Sequence, residues 1–186
     1  MRVVSIKDVS FEAFKGQIFQ IFLSQSSYQK HDVDTQWSYF EKWVGIYYKN
    51  WPDWFFVAVK DNEILGYICA CPNSLAAIDK ISFKSYHLFK EVYKDNPVHF
   101  HINVKAGITG KGIGAQLLHA ITHKASSEGY KNLHIITSSH EKNVNFYHKY
   151  GFKTIASKSL GAFDLLLMRL DLGLSLPNKI DKYLQS

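Results

Sequence analysis

Apolar positions recur with two different periods along the first half of the chain. RVVSI at the N-terminus has the alternation of a short strand, whereas apolar residues after Asp8 recur every three to four positions, which predicts a helix to about Ser24. A second helix with its own apolar stripe is predicted to start at a cap, Asp34 or Thr35, and to end at NWPD. The runs WFFVAVK and ILGYICAC then predict a hairpin closed by a polar turn of two or three residues.

The second half of the chain alternates strands and helices. Helical spacing extends from about 82 to 95, and the uncharged run VHFHINV then predicts a central strand. A helix over about 112–127, the strand LHIITSS and a short helix ending at Gly151 follow, and FKTIAS and FDLLLMRL predict a final hairpin. This order indicates an α/β fold with a central mixed β-sheet flanked by helices. We expect one domain over 1–170 and a peripheral C-terminal tail over 171–186.

Composition narrows the class of protein further. The chain has 186 residues, 46% of them apolar, which is enough for a hydrophobic core. The net charge of +6 favours anionic partners, but no basic run is long enough for a nucleic-acid arm, so nucleic acid is not an expected partner. Charged residues interrupt the N-terminal region, and no apolar span reaches the roughly 18 residues of a membrane helix. The thiols of Cys69 and Cys71 fit a reducing compartment, so a cytoplasmic protein without membrane association is predicted.

Glycines occupy alternate positions in ITGKGIGAQLL, directly after the central strand and before a helix. Gly110, Gly112 and Gly114 leave the backbone N–H groups open to close approach by a phosphate at the helix N-terminus. A nucleoside-triphosphate loop is excluded by spacing, because Lys111 is followed by glycine where serine or threonine is needed. A dinucleotide fingerprint is excluded as well, because Leu117 stands where the third glycine belongs.

The segment VKAGITGKGIGAQLL resembles the acyl-CoA pyrophosphate loop of the GNAT superfamily of N-acetyltransferases. Thr109, Gly112 and Gly114 stand at the three signature positions of that loop, and Val104 stands at the valine that ends the strand. Thr109 replaces the glutamine or arginine usual in the family.

A second GNAT element follows further along the chain. HEKNVNFYHKYGF resembles the family's N-x-x-A-x-x-x-Y-x-x-x-G-F element, in which Tyr147, Gly151 and Phe152 match and His140 and Asn143 replace the usual asparagine and alanine. The resemblance covers roughly residues 98 to 156. It implies a GNAT-like acyl-CoA N-acyltransferase fold, with acetyl-CoA as the cosubstrate.

The resemblance also implies roles for named residues. An amine of a small molecule or peptide would attack the thioester directly, a backbone N–H at or beside Val104 would support the oxyanion, and Tyr147 would protonate the leaving thiolate. The expected cofactor-binding residues are Val104, Thr109, Gly110, Lys111, Gly112, Ile113, Gly114 and Asn143.

His99, His101 and Asn103 alternate on one face of the central strand. We consider His101 and Asn103 as catalytic residues, because histidine titrates in the range that a base for an amine requires. The alternative is that these side chains are buried hydrogen-bonding groups that anchor the strand. Neither this H-x-H pair nor His119 with His123 brings an obvious third ligand, so no metal is expected.

Two other functions remain open. The altered positions 109 and 140 also fit an acyl-CoA-binding regulatory or interaction module that has lost turnover. A structural domain in which the glycine loop only turns the chain is the third alternative. The sequence favours neither small amines nor peptides as acceptors, and it leaves a homodimer open.

Overall fold

In the computed structural model, residues 1–81, 83–108, 110–140 and 143–173 are described, so Thr109 and most of the expected C-terminal tail lie outside the described residues. The strands within these ranges are β1 (Arg2–Ser5), β2 (Phe55–Lys60), β3 (Glu63–Cys71), β4 (His99–Val104), β5 (Asn132–Ser138), β6 (Lys153–Leu160) and β7 (Phe163–Asp171). They form a mixed sheet in the order β1-β2-β3-β4-β5-β7-β6, which confirms the predicted fold class. β4 is central, as its uncharged sequence predicts.

The helices are α1 (Phe11–Ser24), α2 (Val33–Phe40), α3 (Ile46–Asn50), α4 (Ser74–Ile81), α5 (Lys84–His87), α6 (Ile113–Ser127) and α7 (Asn143–Lys149). The chain divides into two compact units. The first unit comprises Met1–Ala70 and His101–Ile121, and the second comprises Cys71–Phe100 and the chain from Thr122 onward. The prediction of a single domain over 1–170 stays a prediction.

In the first unit, α1 packs its apolar face inward because Ile18, Ile21 and Phe22 recur at helical spacing, and all three are buried. Ser10 caps this helix by accepting a hydrogen bond from the N–H of Ala13 at 3.3 Å. The β2–β3 hairpin closes through Asp61 and Asn62, whose φ angles of 50° and 63° give a two-residue turn.

A π-helical turn (Glu41–Gly45) joins α2 to α3. The predicted cap of α2 at Asp34 or Thr35 is wrong by two or three positions. Asp32 is the cap, and its carboxylate accepts a hydrogen bond from the N–H of Thr35 at 2.9 Å. Asp32 directly precedes the helix, so its carboxylate can accept hydrogen bonds from the open N–H groups of the first turn.

In the second unit, β4 pairs with β5 in parallel at His99 and His134, and β7 pairs antiparallel with both β5 and β6. The continuous helical segment predicted over 82–95 is wrong. α4 lies before it, with Asn73 accepting a hydrogen bond from the N–H of Ala76 at 3.0 Å, and the later part holds only α5 and a 3-10 turn (Lys90–Val92). The buried core of this unit includes Phe100, Leu133, Phe152 and Leu167.

Candidate active site

The glycine loop that connects β4 to α6 has an unusual backbone. Gly107, Gly110 and Gly112 have φ angles of 80°, 85° and 80°, which residues with a side chain rarely adopt. A Cβ atom at Gly107 or Gly110 would meet no heavy atom within 4 Å, so these positions require glycine for its backbone conformation and not for space. The loop leads directly into Ile113, the first residue of α6.

The end of this loop forms the first turn of a helix. The N–H of Gln116 donates to the carbonyl of Gly112 at 3.0 Å, so the hydrogen-bonded turns of α6 start there. The N–H groups of a first helical turn have no acceptors within the helix, and the helix dipole makes this end electropositive. Lys111 is exposed beside it and adds a positive charge. Such an end can bind an anionic phosphate group.

A hydrogen bond between the end of β4 and β3 determines which edge of β4 each backbone N–H group faces. The N–H of Lys105 donates to the carbonyl of Leu65 at 2.9 Å, and because N–H groups alternate along a strand, the N–H of Val104 points to the opposite edge of β4. Gly66 allows the two strands to approach closely. A Cβ atom there would lie 2.9 Å from the carbonyl oxygen of Asn103 and 3.1 Å from Leu117.

Three polar side chains of the first unit meet on one face of the sheet. The Tyr67 hydroxyl lies 3.1 Å from Nε2 of His101, and Nδ2 of Asn103 lies 2.9 Å from the same hydroxyl and 3.3 Å from the same ring nitrogen. Because Asn103 donates to Tyr67, the hydroxyl hydrogen is left for Nε2 of His101. This network assigns the imidazole proton to Nδ1, and it confirms that His101 and Asn103 share a face.

The His101 ring is a neutral, weakly basic group. Burial lowers its pKa to about 4 because the charged form loses its hydration. Burial also raises the pKa of Tyr67 well above its usual range, so the hydroxyl keeps its hydrogen. At neutral pH this site therefore contains uncharged hydrogen-bonding groups.

The π-helical turn places Trp43 beside this network. The Trp43 ring centroid lies 5.6 Å from that of His101. Glu41 holds the turn by ion pairs with Lys15 at 2.9 Å and Lys49 at 2.7 Å. At Gly45 a Cβ atom would lie 2.3 Å from Oε2 of Glu41, so glycine leaves room for the paired carboxylate.

Tyr147, the predicted proton donor, lies in the second unit on α7. Its side chain is only 3% exposed and packs against Phe100, Phe146 and Phe152, with ring centroids 6.1, 5.4 and 5.5 Å away. Asn143 begins the same helix, and its Oδ1 accepts a hydrogen bond from Thr137 at 2.9 Å. An aromatic shell therefore surrounds the predicted donor.

His99 has a structural role. Its Nδ1 lies 2.7 Å from the hydroxyl of Ser74, and that hydroxyl donates to the carbonyl of Pro97 at 2.7 Å. The ring is 1% exposed and packs on Tyr86. For this histidine, the anchoring alternative from the sequence is the one that the contacts support.

A cleft of about 510 Å³ opens beside α1 and the start of β3, with Lys105 and Ala106 on its far wall. Its volume suits a small-molecule ligand. Its charged residues, Lys105 and Glu63, pair with each other, and Gln17 of its wall already accepts a hydrogen bond from the N–H of Ile64 at 2.8 Å. The cleft therefore lies next to the glycine loop but has few polar groups available for a ligand.

Comparison with known proteins identifies the family. The profile of the Acetyltransferase (GNAT) family matches residues 17–152, which is most of the chain. The chain belongs to the GNAT acetyltransferase family. The resemblance of the glycine loop and the tyrosine element to GNAT sequences is thereby confirmed, and proteins of this family are acyltransferases.

Solved GNAT structures share this fold. The structure of SsHAT aligns over 92% of this chain and 98% of its own chain, with a TM-score of 0.72 and 16% sequence identity. The structure of an N-acetyltransferase from Staphylococcus aureus Mu50 aligns over 92% of this chain and 98% of its own chain, with a TM-score of 0.58 and 21% sequence identity. The structure of the ribosomal-protein-alanine N-acetyltransferase from Brucella melitensis aligns over 92% of this chain and 99% of its own chain, with a TM-score of 0.60 and 15% sequence identity. A search of curated proteins found no match to the sequence.

The described ranges contain neither a metal-ligand cluster nor a membrane-spanning helix. Among those residues, no cluster of three or more histidine, cysteine, aspartate or glutamate side chains could hold a metal ion. Nor does any helix in the described part combine the length and apolar character that crossing a bilayer requires.

Two residues that contact His101 were not predicted from the sequence: Tyr67 and Trp43. Tyr67 lies in the apolar run ILGYICAC, where an aromatic residue is typical of a core strand. Trp43 lies outside the apolar stripe predicted for the second helix, and it contacts His101 from within the π-helical turn. A polar hydroxyl within a buried strand next to a histidine-bearing strand is the one signal that indicates Tyr67.

Proposed function

We propose that this GNAT protein transfers an acetyl group from acetyl-CoA to an amine of a small molecule or a peptide. The observation that carries the proposal is the loop of left-handed glycines, Gly107, Gly110 and Gly112, that opens into the N-terminus of α6 in a chain of the GNAT family. A loop of this kind gives the pyrophosphate of a CoA ester close access to backbone N–H groups.

The cosubstrate is held by backbone groups in this proposal. The N–H groups from Gly110 to Gly114 bind the pyrophosphate, with Lys111 adding charge and Ile113 starting the helix. Thr109 and Asn143 are further binding residues by their positions in the GNAT elements. The absence of the usual glutamine or arginine side chain at position 109 removes one contact and leaves the backbone donors in place.

The reaction forms a C–N bond and breaks a C–S bond. The nitrogen of a neutral amine attacks the thioester carbonyl, and the N–H of Val104 donates to the oxygen as it becomes negative. As the C–S bond breaks, the nitrogen loses a proton and the thiolate gains one. Tyr147 donates a proton to the sulfur, by its position in the GNAT element; the proton that the nitrogen loses passes to solvent water, from which Tyr147 regains the one it donated.

The network of His101, Tyr67 and Asn103 supports the amine in this proposal. An amine with a pKa of about 10 is mostly protonated at neutral pH. A site of uncharged groups disfavours the ammonium form of the amine, and the Nδ1–H of His101, on the side of the ring that Tyr67 does not occupy, can donate a hydrogen bond to the acceptor. His101 and Asn103 thus serve as hydrogen-bonding catalytic residues on the acceptor side.

The first experiment is a calorimetric titration of the full chain with acetyl-CoA, CoA and ATP. We expect micromolar binding of acetyl-CoA and CoA without comparable binding of ATP, followed by amine-dependent release of free thiol. Binding of acetyl-CoA without thiol release for any amine would indicate the binding-module alternative. Absence of acetyl-CoA binding would overturn the proposal, because the loop would then only turn the chain.

The second experiment concerns Tyr147. The Tyr147→Phe variant should lower kcat by about a hundredfold, because the thiolate loses its proton donor, and should leave the Kd of CoA nearly unchanged. The matched control is Tyr150→Phe, a buried tyrosine directly after the same helix that packs on the same Phe146. Equal effects of the two substitutions on kcat would contradict a role of Tyr147 in proton transfer.

A further inference from the structure

Four aromatic side chains lie together between the end of α1 and the π-helical turn. We call this group, Tyr28, His31, Tyr39 and Trp43, the aromatic cluster. Tyr28 and Tyr39 stack with ring centroids 3.9 Å apart and an angle of 13° between the rings. The His31 ring lies 6.2 Å from Tyr28 and 5.9 Å from Tyr39. Nε1 of Trp43 donates to the Tyr28 hydroxyl at 3.1 Å.

The aromatic cluster is continuous with the acceptor side of the proposed site. Trp43 contacts Tyr28 on one side and His101 on the other, at 5.6 Å between ring centroids. His101 in turn contacts Tyr67 and Asn103. A molecule whose amine reaches His101 can therefore place its remaining atoms along Trp43.

The rings of the aromatic cluster are partly accessible, and a second stacked pair with a half-buried tryptophan lies on α1 and α2. Tyr28, Tyr39 and Trp43 are half-buried and His31 is exposed. The stacked pair of Phe19 and Trp37, which lies on α1 and α2, packs instead around the fully buried Phe40. Trp37 is itself half-buried, like Trp43, so the two tryptophans differ in the groups on which they pack and not in their exposure.

The charges around the aromatic cluster do not suit a polycation. Nζ of Lys42 lies 5.6 Å from the centre of the Tyr39 ring. The carboxylate of Asp32 accepts two hydrogen bonds from Thr35, and that of Glu41 is paired with two lysines. Asp34 lies in the exposed first turn of α2. The contacts thus favour an acceptor with a single amine and an uncharged, flat body.

We infer that the aromatic cluster binds the body of the acceptor, that the acceptor is a primary amine carrying an aromatic ring, and that Trp43 determines this specificity. This inference rests on the proposed acyl transfer. An aromatic ring can stack on Trp43 and gains attraction from ring-to-ring contact in addition to burial. A saturated ring of the same size gains only burial.

The test compares three amines in the thiol-release assay with the full chain. 2-Phenylethylamine should have a kcat/KM at least about tenfold above that of 2-cyclohexylethylamine, which has a similar size and charge, and above that of butane-1,4-diamine. Trp43→Leu should remove most of this preference by raising the KM for 2-phenylethylamine. Trp37→Leu is the matched control, since it removes another half-buried tryptophan, which packs on Phe19 and Phe40, and it should keep the preference.

A binding measurement separates this inference from the proposed function. Calorimetric titration of 2-phenylethylamine into the complex with CoA reports acceptor binding without turnover, and Tyr39→Leu provides a second variant should Trp43→Leu not fold. Binding that is weakened by either variant and unchanged in Trp37→Leu supports the inference, even if no thiol is released. Equal use or equal binding of the aromatic and saturated amines overturns it, whether or not acetyl transfer is confirmed.

Discussion

At the level of single residues, the partners of His101 determine what its imidazole can do. Its Nε2 faces the Tyr67 hydroxyl, and burial lowers its pKa to about 4. A histidine with this pKa is unprotonated throughout the neutral range, and its acceptor nitrogen Nε2 already receives the Tyr67 hydroxyl hydrogen, so the ring takes up protons poorly. Its role is better described as holding a neutral amine than as removing a proton from an ammonium ion.

This description predicts the pH dependence of the reaction. Because the pKa of His101 is lowered, the active imidazole form is complete above about pH 5. The rise of kcat/KM with pH should therefore follow the pKa of the amine, with no limb near 6.5, and steady-state assays between about pH 6 and 9 can measure it. A limb near 6.5 that disappears in His101→Gln would contradict this assignment.

Tyr67→Phe tests the same network from its other side. Loss of the hydroxyl removes the donor to Nε2 of His101, so the imidazole loses its fixed orientation and kcat/KM should fall by about tenfold. The shape of the pH profile should stay that of the amine. Tyr47→Phe, at another buried tyrosine of the same unit, is the control and should leave kcat/KM unchanged.

At the level of elements, the glycine loop acts through its backbone conformation. Gly110 has a left-handed φ and no neighbour that a Cβ atom would meet, so an alanine there changes conformation without a steric clash. Gly129, just after α6, has a similar φ of 82° and is equally free of neighbours. Comparing an alanine at Gly110 with an alanine at Gly129 therefore separates the strain that any left-handed alanine causes from an effect on ligand binding.

Gly110→Ala should therefore weaken CoA binding, whereas Gly129→Ala should not. Both variants should lose about 1 kcal/mol of folding free energy, because a non-glycine residue is strained at this φ. Calorimetry should show at least about a fivefold higher Kd for CoA in Gly110→Ala alone. Equal Kd values in the two variants would indicate that the loop does not bind the cosubstrate.

Most elements could be predicted from the sequence because their apolar residues follow one regular period. The central position of β4 in the sheet and the helix after the glycine loop agree with the predictions. α4 was missed because its start at Ser74 comes two positions after Pro72, and Pro-Asn-Ser is typical of a loop. The π-helical turn could not be predicted, because one extra residue in a turn leaves no periodic signal in so short a segment.

At the level of the whole molecule, neutral histidines with a lowered pKa occur in both units. His101 lies in the first unit and His134 in the second. His134 is fully buried and stacks on Tyr93 at 5.3 Å, and neither ring nitrogen has a hydrogen-bond partner among the described residues. Burial lowers its pKa to about 3. Both histidines make the fold dependent on a pH at which they are uncharged.

Acid should therefore destabilise the protein. The unfolded chain protonates His134 below about pH 6.5, while the folded chain does so only near pH 3, so stability falls as pH falls between these values. Each such histidine contributes about 1.4 kcal/mol per pH unit in this window. Chemical denaturation at several pH values should show a smaller acid loss in both His134→Phe and His134→Gln.

The two substitutions differ at neutral pH. His134→Phe removes two buried polar atoms that lack partners and keeps the stacking on Tyr93, so its stability at pH 7 should equal or exceed that of the wild type. His134→Gln keeps an unpaired polar group and should be less stable at pH 7 than His134→Phe. The same acid dependence in all three proteins would show that other groups cause the loss.

The π-helical turn also gives this protein a way to change its acceptor by chain length. The turn contains one residue more than an α-helical turn, so everything before it is rotated by about 100° relative to a continuous α-helix. A deletion of one residue between Glu41 and Gly45 would produce a regular helix and turn Trp43 away from His101 without altering a single catalytic side chain. In such a scaffold, insertions and deletions can retune selectivity as effectively as substitutions.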